Sequence, residues 1–201
     1  MDLVAGPQGS GKSTFFPVGD RGHDSFNIDD RRRELNAGSS QRIAAGVRRR
    51  AIAEYRQFIE EHIRRRSSFS IEVTLGKEIT FEQVLRARQA GFRVQLTYVA
   101  AELDDCVDRV ATRLESGGHG VSPTVLRETY ATSMRNLSRA VREFDIVQVY
   151  DNAHRARPQE SSEEMRPRLV LESRRGATRY FTTKLPPWLR AALTGPDHGV
   201  G

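Results

Sequence analysis

The chain has 201 residues, 37% of them hydrophobic and 29% charged, with a formal net charge of +6. This length and balance predict one globular domain, and they exclude a disordered chain or two domains with separate cores. The one cysteine, Cys106, excludes an internal disulfide, and no stretch is typical of a signal peptide or a membrane span. We therefore expect a soluble, cytoplasmic protein.

The predicted elements begin with a strand at 2–6, which leads into a glycine-rich loop and a helix. A second strand at 24–28 ends on Asp29 and Asp30. From Ser40, apolar residues recur with a 3.6-residue period up to Ile63, which predicts an amphipathic helix of six or seven turns. A third strand follows at 68–73.

The second half of the chain continues the alternation of helices and strands. Thr80 and Gln83 have the spacing of a capping box, which predicts a helix from there to Gly91. Residues 92–100 are the longest apolar run and predict a central strand. After a helix that stops at Gly117, Ser122 and Pro123 predict a further helix to about residue 144, followed by a strand at 145–150.

This order predicts the fold class and the domain organisation. Strands separated by long helices predict parallel crossovers, hence an α/β fold with a mostly parallel sheet of five or more strands flanked by helices. Apolar runs on either side of residues 174–176 predict a C-terminal β-hairpin. We expect a phosphate-binding domain at 1–152, an extension at 153–194 that packs on it, and a disordered tail at 195–201.

Residues 6–13, GPQGSGKS, fit the phosphate-binding pattern G-x-x-x-x-G-K-[ST] in its strand-to-helix context. The glycines let backbone N–H groups turn toward the β-phosphate, Lys12 reaches the β and γ oxygens, and the Ser13 hydroxyl ligates Mg²⁺. The sequence therefore predicts a site for ATP or GTP with Mg²⁺, formed by Gly6, Pro7, Gln8, Gly9, Ser10, Gly11, Lys12, Ser13 and Thr14.

The motif leaves the fate of the phosphate open. The guanine-binding N-K-x-D and switch D-x-x-G motifs of GTPases are absent from the sequence. An ATPase remains an alternative, because the third strand carries Glu72 near its end. A small-molecule kinase needs a base, an acceptor pocket and cations around the phosphoryl group, and the chain has candidates for all three.

Asp29 is the candidate base, because the carboxyl ends of strands in such sheets meet the ligand crevice. It could instead cap the following helix, and Asp30 could exchange roles with it. Glu72 and Thr74 alternate onto one face at the end of the third strand, so we predict that both bind the acceptor.

Arg109 and Arg113 have i, i+4 spacing on one helix face and are the candidate cations, with surface arginines as the alternative. The loop that follows carries His119, and we predict that Arg109 and His119 contact the substrate. Cys106 has no Cys or His partner at ligand spacing, which favours a packed thiol.

Three arginine triplets, at 31–33, 48–50 and 64–66, could follow a nucleic-acid backbone. No aromatic residues alternate with them to stack on bases, so solvated helix faces are the favoured interpretation. An ATPase that binds nucleic acid through these clusters remains the alternative function.

A set of ordered segments resembles the zeta toxin family of P-loop kinases over about residues 2–152. The segments are GPQGSGKST, FNIDDRRREL, FSIEVT, RVATRLESGGHGVS, LRETYATSMRNLSRA and VYDNA. The resemblance implies a P-loop kinase fold and transfer of phosphate from ATP or GTP to the 3′-hydroxyl of the amino sugar in UDP-N-acetylglucosamine. It also implies a small antitoxin protein as a partner.

The same resemblance implies roles for single residues. Lys12 is similar to the phosphate lysine, Asp29 to the base and Arg113 to an arginine that stabilises the transferring phosphate. Glu72 and Thr74 are similar to the pair that holds the sugar nucleotide. A second family arginine falls where this chain has residues 118–120, with His119 at the centre, and the family's Ser-Gly after the E-x-T-L string is replaced by Gly76 and Lys77.

Overall fold

The computed structural model describes residues 1–116, 120–153 and 166–194. Its strands are β1 (Asp2–Ala5), β2 (Asp24–Asn27), β3 (Phe69–Val73), β4 (Gln95–Ala100), β5 (Ile146–Asp151), β6 (Arg168–Arg174) and β7 (Ala177–Tyr180). Its helices are α1 (Lys12–Phe15), α2 (Ile28–Leu35), α3 (Ala45–Arg65), α4 (Glu78–Gln89), α5 (Leu103–Glu115), α6 (Pro123–Glu143) and α7 (Pro187–Leu193).

These strands form one seven-stranded sheet in the order β2-β3-β1-β4-β5-β6-β7. The first five are parallel, and β6 and β7 add an antiparallel hairpin to the β5 edge. The predicted fold class is confirmed: this is an α/β domain with a mostly parallel sheet flanked by helices. Because the parallel strands share one direction, the ends of β1, β2 and β3 meet at one edge of the sheet, where the P-loop (residues 6–13) lies.

The hydrophobic core lies between the sheet and the helices. It includes Leu3, Ile71, Leu96 and Val149, one from each of four parallel strands, each with at most 1% of its surface exposed. Short, buried strands of this kind are expected in the centre of a parallel sheet. The core therefore holds the strand ends rigidly beneath the loops that carry polar residues.

The starts of α4 and β4 differ from the sequence prediction. Helix α4 begins at Glu78, so Thr80 and Gln83 lie buried inside it and the predicted capping box is wrong. Strand β4 begins at Gln95, because Phe92 still belongs to the end of α4: its N–H bonds to Ala87 O, across a left-handed Gly91. This is a Schellman motif, which uses the residues that apolarity alone assigned to the strand.

The helix after the P-loop is only one turn long. Pro17 ends α1, because proline has no N–H and disfavours helical geometry in the residue before it. A 3₁₀ turn, Val18–Arg21, leads from there to β2.

Helix α3 begins at Ala45 instead of Ser40, after a loop in which the Asn36 side chain bonds to two backbone carbonyls.

The C-terminal extension forms the predicted hairpin and then α7, whose Trp188, Leu189 and Ala192 are buried in the common core. Residues 154–165 of the extension and the expected disordered tail at 195–201 lie outside the described residues, so the domain boundaries stay a prediction. None of the helices in the described part combines the length and the apolar character needed to cross a membrane.

Candidate active site

The P-loop connects β1 to α1 in a conformation that requires glycine at several positions. Gly9 and Gly11 have φ angles of 78° and 92°, in the left-handed region. A Cβ atom on Gly9 would also collide with the backbone of Cys106 on α5. These positions favour glycine over other residues, because the loop turns sharply and packs closely against its neighbours.

Lys12, the one ionisable side chain of the P-loop, is buried, with 7% of its surface exposed. Its Nζ donates a hydrogen bond to Pro7 O at 3.1 Å, so the amine folds back over the P-loop. Burial lowers the pKa of Lys12, and the nearby negative charges of Glu72 and Asp29 partly oppose this effect. The amine therefore lies in a desolvated place, within electrostatic range of both predicted site carboxylates.

Glu72, at the end of β3, contacts the P-loop directly. The Ser13 hydroxyl lies 3.0 and 3.2 Å from its two carboxylate oxygens. Burial raises the pKa of Glu72, against the opposing effects of the Lys12 charge and the Ser13 hydrogen bond. The structure thus brings Glu72, Ser13 and Lys12 together.

The Ser13–Glu72 pair fits the predicted Mg²⁺. Mg²⁺ binds hard oxygen ligands, and it is usually held by one or two carboxylates together with substrate phosphates and water. The described residues contain no group of three or more His, Cys, Asp or Glu side chains that could hold a metal by themselves. Ser13 and Glu72 would therefore hold Mg²⁺ together with the nucleotide's phosphates.

Asp29 lies in the first turn of α2 and does not cap that helix. The cap is Asn27, whose side-chain oxygen accepts hydrogen bonds from the N–H groups of Asp29 and Asp30. The Asp29 carboxylate is 44% exposed and pairs with Arg32 at 2.8 Å. Asp30 pairs with Arg33 at 3.1 Å in the same way. The alternative of Asp29 as a cap is therefore removed, and Asn27 is a contributor that sequence reasoning missed.

Substitution of Asn27 tests how much this cap contributes. Asn27→Ala should destabilise the protein by about 1 kcal/mol, because two N–H groups lose their acceptor. Asn27→Ser keeps a capping oxygen and should recover most of this loss, as measured by urea denaturation.

The loop after β3 carries Thr74 and is held from α6. Ser133 Oγ donates to Thr74 O at 2.6 Å, and Asn136 Nδ2 donates to Leu75 O at 2.8 Å. Leu75 is buried with a φ of 60°, which a branched side chain seldom adopts. Strain of this kind persists only where the surroundings fix the backbone. Sequence reasoning missed Ser133 and Asn136 as supports of this loop. Their i, i+3 spacing in the LRETYATSMRNLSRA segment is the sequence signal that could have indicated them.

The two candidate arginines of α5 separate in the structure. Arg109 donates to two backbone carbonyls, of Gly9 at 3.3 Å and of Asn152 at 2.8 Å, behind the P-loop. Arg113, one turn further along, is exposed, and its charge is among those that lower the pKa of Lys12 after burial. Arg109 therefore supports the P-loop from its backbone side. The predicted contacts of Arg113 with the transferring phosphate and of Arg109 with substrate stay predictions.

His119 and Cys106 also belong to this part of the chain. His119, with Gly117 and Gly118, lies outside the described residues. Cys106 is fully buried, and burial raises the pKa of its thiol to about 11. A buried thiol that is protonated at neutral pH is unreactive. This agrees with the predicted packed thiol.

Several arginines of the triplets form ion pairs within the protein. Arg31 pairs with Glu34 and Glu54, and Arg64 and Arg65 share Glu61. These contacts are typical of solvated helix faces, where ion pairs between neighbouring turns are common. They favour the surface interpretation of the triplets over a nucleic-acid footprint.

A family model described as an AAA domain matches residues 1–140. The chain belongs to this AAA domain family. A protein of Haemophilus influenzae (strain ATCC 51907 / DSM 11121 / KW20 / Rd), described as uncharacterized, is 26% identical over 130 residues, which cover 64% of this chain and 90% of the relative.

Solved structures share the fold. One chain of the AvrRxo1-ORF1:AvrRxo1-ORF2 structure with sulphate ions superposes with a TM-score of 0.67 at 15% identity, over 100% of this chain and 65% of that one. The same pair has been solved with ATP, and that match has a TM-score of 0.64. A chain of the PezAT toxin-antitoxin system of Streptococcus pneumoniae matches with a TM-score of 0.55 at 16% identity, over 75% of this chain and 68% of that one. At identities of 15% and 16%, these likenesses show that the fold is shared.

Proposed function

We propose that the protein is a kinase that transfers the γ-phosphoryl group of ATP or GTP to a hydroxyl group of a small molecule. The observation that carries this proposal is the contact of Glu72 with Ser13 of the P-loop, beside the buried Lys12. The sheet register pairs Asn27 of β2 with Glu72 of β3, and Asp29 follows two residues later in the first turn of α2. A base, a phosphate-binding amine and a metal-binding carboxylate at one site are what phosphoryl transfer requires.

In this mechanism Asp29 accepts the proton of the acceptor hydroxyl, which Thr74 orients. The hydroxyl oxygen then attacks the γ-phosphorus, and the bond from that phosphorus to the β–γ bridging oxygen breaks. Lys12 and Arg113 stabilise the charge on the phosphoryl oxygens during transfer. The product is a phosphate monoester, and the nucleoside diphosphate leaves.

Glu72 has a different place in this proposal from the one that the sequence predicts. The sequence assigns it to the acceptor, but its hydrogen bonds to Ser13 favour a position beside the Mg²⁺ ligand. When bound, Mg²⁺ neutralises charge on the β- and γ-phosphates. We therefore assign Ser13 and Glu72 to Mg²⁺ and keep Thr74 at the acceptor.

We further propose that the kinase is of the zeta toxin type, with UDP-N-acetylglucosamine as the first acceptor to test and an antitoxin protein as its partner. The likeness of the fold to a chain of the PezAT toxin-antitoxin system supports the antitoxin partner. The zeta toxin type and its acceptor rest on the sequence resemblance over about residues 2–152. The predicted cytoplasmic location agrees with a substrate of this kind and stays a prediction.

The function is tested by incubating the purified protein with labelled ATP, Mg²⁺ and a metabolite extract. In a separate reaction, UDP-N-acetylglucosamine is supplied as a defined acceptor. We expect a labelled phosphate monoester that depends on the protein and is lost with Asp29→Asn. Salt-sensitive nucleic-acid binding together with nucleic-acid-stimulated ATP hydrolysis, and no labelled small molecule, would contradict the kinase and favour the ATPase alternative.

A further inference from the structure

Asn152 follows β5 and lies behind the P-loop, with 4% of its surface exposed. Its Nδ2 donates to Ser10 O at 2.8 Å, and its backbone N–H donates to Ala100 O at 2.7 Å. Arg109 donates to Gly9 O and to Asn152 O. Two consecutive carbonyls of the P-loop, those of Gly9 and Ser10, are therefore held by residues outside the loop.

This grip determines where the phosphate-binding N–H groups point. A trans peptide is planar, so the carbonyl of one residue and the N–H of the next point in opposite directions. With Ser10 O held by Asn152, the N–H of Gly11 faces the mouth of the loop, where a phosphate binds. An apolar residue at position 152 would fill the space but would not fix this orientation.

The C-terminal helix α7 in turn holds the chain around Asn152. The indole N–H of Trp188 donates to Asp151 Oδ1 at 3.0 Å, and the N–H of Ala153 donates to the same oxygen at 3.2 Å. Asp151 and Trp188 are 5% and 4% exposed. Helix α7 is thus attached to the end of β5.

We propose that Arg109, Asp151, Asn152 and Trp188 form a loop clamp that positions the P-loop for the donor nucleotide, so that affinity for ATP or GTP depends on α7. These four residues are positioning residues, because each acts through the P-loop backbone and not on the phosphoryl group. The inference rests on the proposed function, in that the P-loop must bind a nucleotide. It adds a function for the C-terminal extension, where the sequence offers no motif.

The test is the dissociation constant for ATP, measured with Mg²⁺ in the absence of any acceptor, on the full chain. Asn152→Ala should bind ATP about tenfold more weakly, the effect expected from losing one buried hydrogen bond. Trp188→Phe keeps an aromatic ring but removes the indole N–H, and it should weaken binding in the same direction by a smaller factor. In steady-state assays the KM for ATP should rise in both variants, whereas the KM for the acceptor should not change.

Asn136→Ala is the matched control, because its amide also donates to a loop carbonyl, that of Leu75, but on the acceptor side. It should leave the affinity for ATP unchanged. If Asn152→Ala does not fold, Trp188→Phe decides alone. Wild-type affinity in the folded clamp variants, or an equal loss in Asn136→Ala, would overturn the clamp. Failure of the unaltered protein to bind ATP would overturn the proposed function as well, so the two failures are distinguishable.

Discussion

Asp29→Asn is expected to lower the rate of phosphoryl transfer by about 10²- to 10⁴-fold, the range that a general base contributes. An amide in this place keeps the shape of the side chain but cannot accept the hydroxyl proton. Affinity for ATP should change little, because Asp29 does not contact the P-loop by any described hydrogen bond. The loss of its ion pair with Arg32 should also have little effect on stability, since both side chains are partly exposed. Single-turnover transfer and equilibrium ATP binding measure the two effects separately.

Asp30→Asn is the matched control for this prediction. Asp30 is the next residue of the same helical turn. It forms the same kind of ion pair, with Arg33, and its side chain is 53% exposed. We expect its substitution to leave transfer near the wild-type rate. A near wild-type rate in Asp29→Asn would show that Asp29 is not the base, and loss of transfer in Asp30→Asn alone would assign the role to Asp30.

Lys12→Met should reduce transfer by about 10²- to 10³-fold, because one preorganised cation is removed from the phosphoryl oxygens. The same substitution should raise the melting temperature of the nucleotide-free protein. Burial lowers the pKa of Lys12, and the opposing charges of Glu72 and Asp29 do not fully compensate. The charged amine is therefore less favourable in the folded chain than in the unfolded one. Activity and stability should change in opposite directions, as expected for a site that retains a buried charge for its function.

The pH dependence of this stabilisation follows from the direction of the shift. Because the pKa of Lys12 is lowered in the folded state, its charge destabilises the protein by the full amount at pH values below that lowered pKa. This destabilisation decreases as the pH rises above the lowered pKa, and it disappears above the ordinary value of 10.5. The difference in melting temperature between Lys12→Met and wild type should therefore be present at pH 7 and should narrow toward pH 10.5. Lys184→Met, at an exposed lysine, is the control and should show neither effect. A lower melting temperature for Lys12→Met at pH 7 would contradict the prediction.

The sequence could predict that Lys12, Asp29 and Glu72 lie near one another. In a parallel sheet the carboxyl ends of the strands share one edge, so residues that follow β1, β2 and β3 must meet there. It could not decide whether Asp29 acts as a cap, because capping depends on the backbone at a single residue. That residue is Asn27, and its side chain leaves the Asp29 carboxylate free of the helix terminus.

The i, i+4 spacing of Arg109 and Arg113 correctly placed both on one side of α5, but only the packing of that helix separates them. Arg109 lies against the back of the P-loop and binds carbonyls, whereas Arg113 lies a turn further along and is exposed. A spacing gives the angle between two side chains around a helix. How far each reaches past a neighbouring loop depends on the tertiary structure.

By itself, the sequence determined the class of the protein: the alternation of apolar runs and helical periods specified the α/β sheet, and GPQGSGKS specified a phosphate-binding turn. Both are local properties, since hydrophobic period and glycine conformation act over a few residues. The tertiary structure alone decided which groups support that turn. Ser10 and Asn152 are 142 positions apart in the chain, and Trp188 comes later still, so their contacts depend on how the sheet, α5 and α7 pack together.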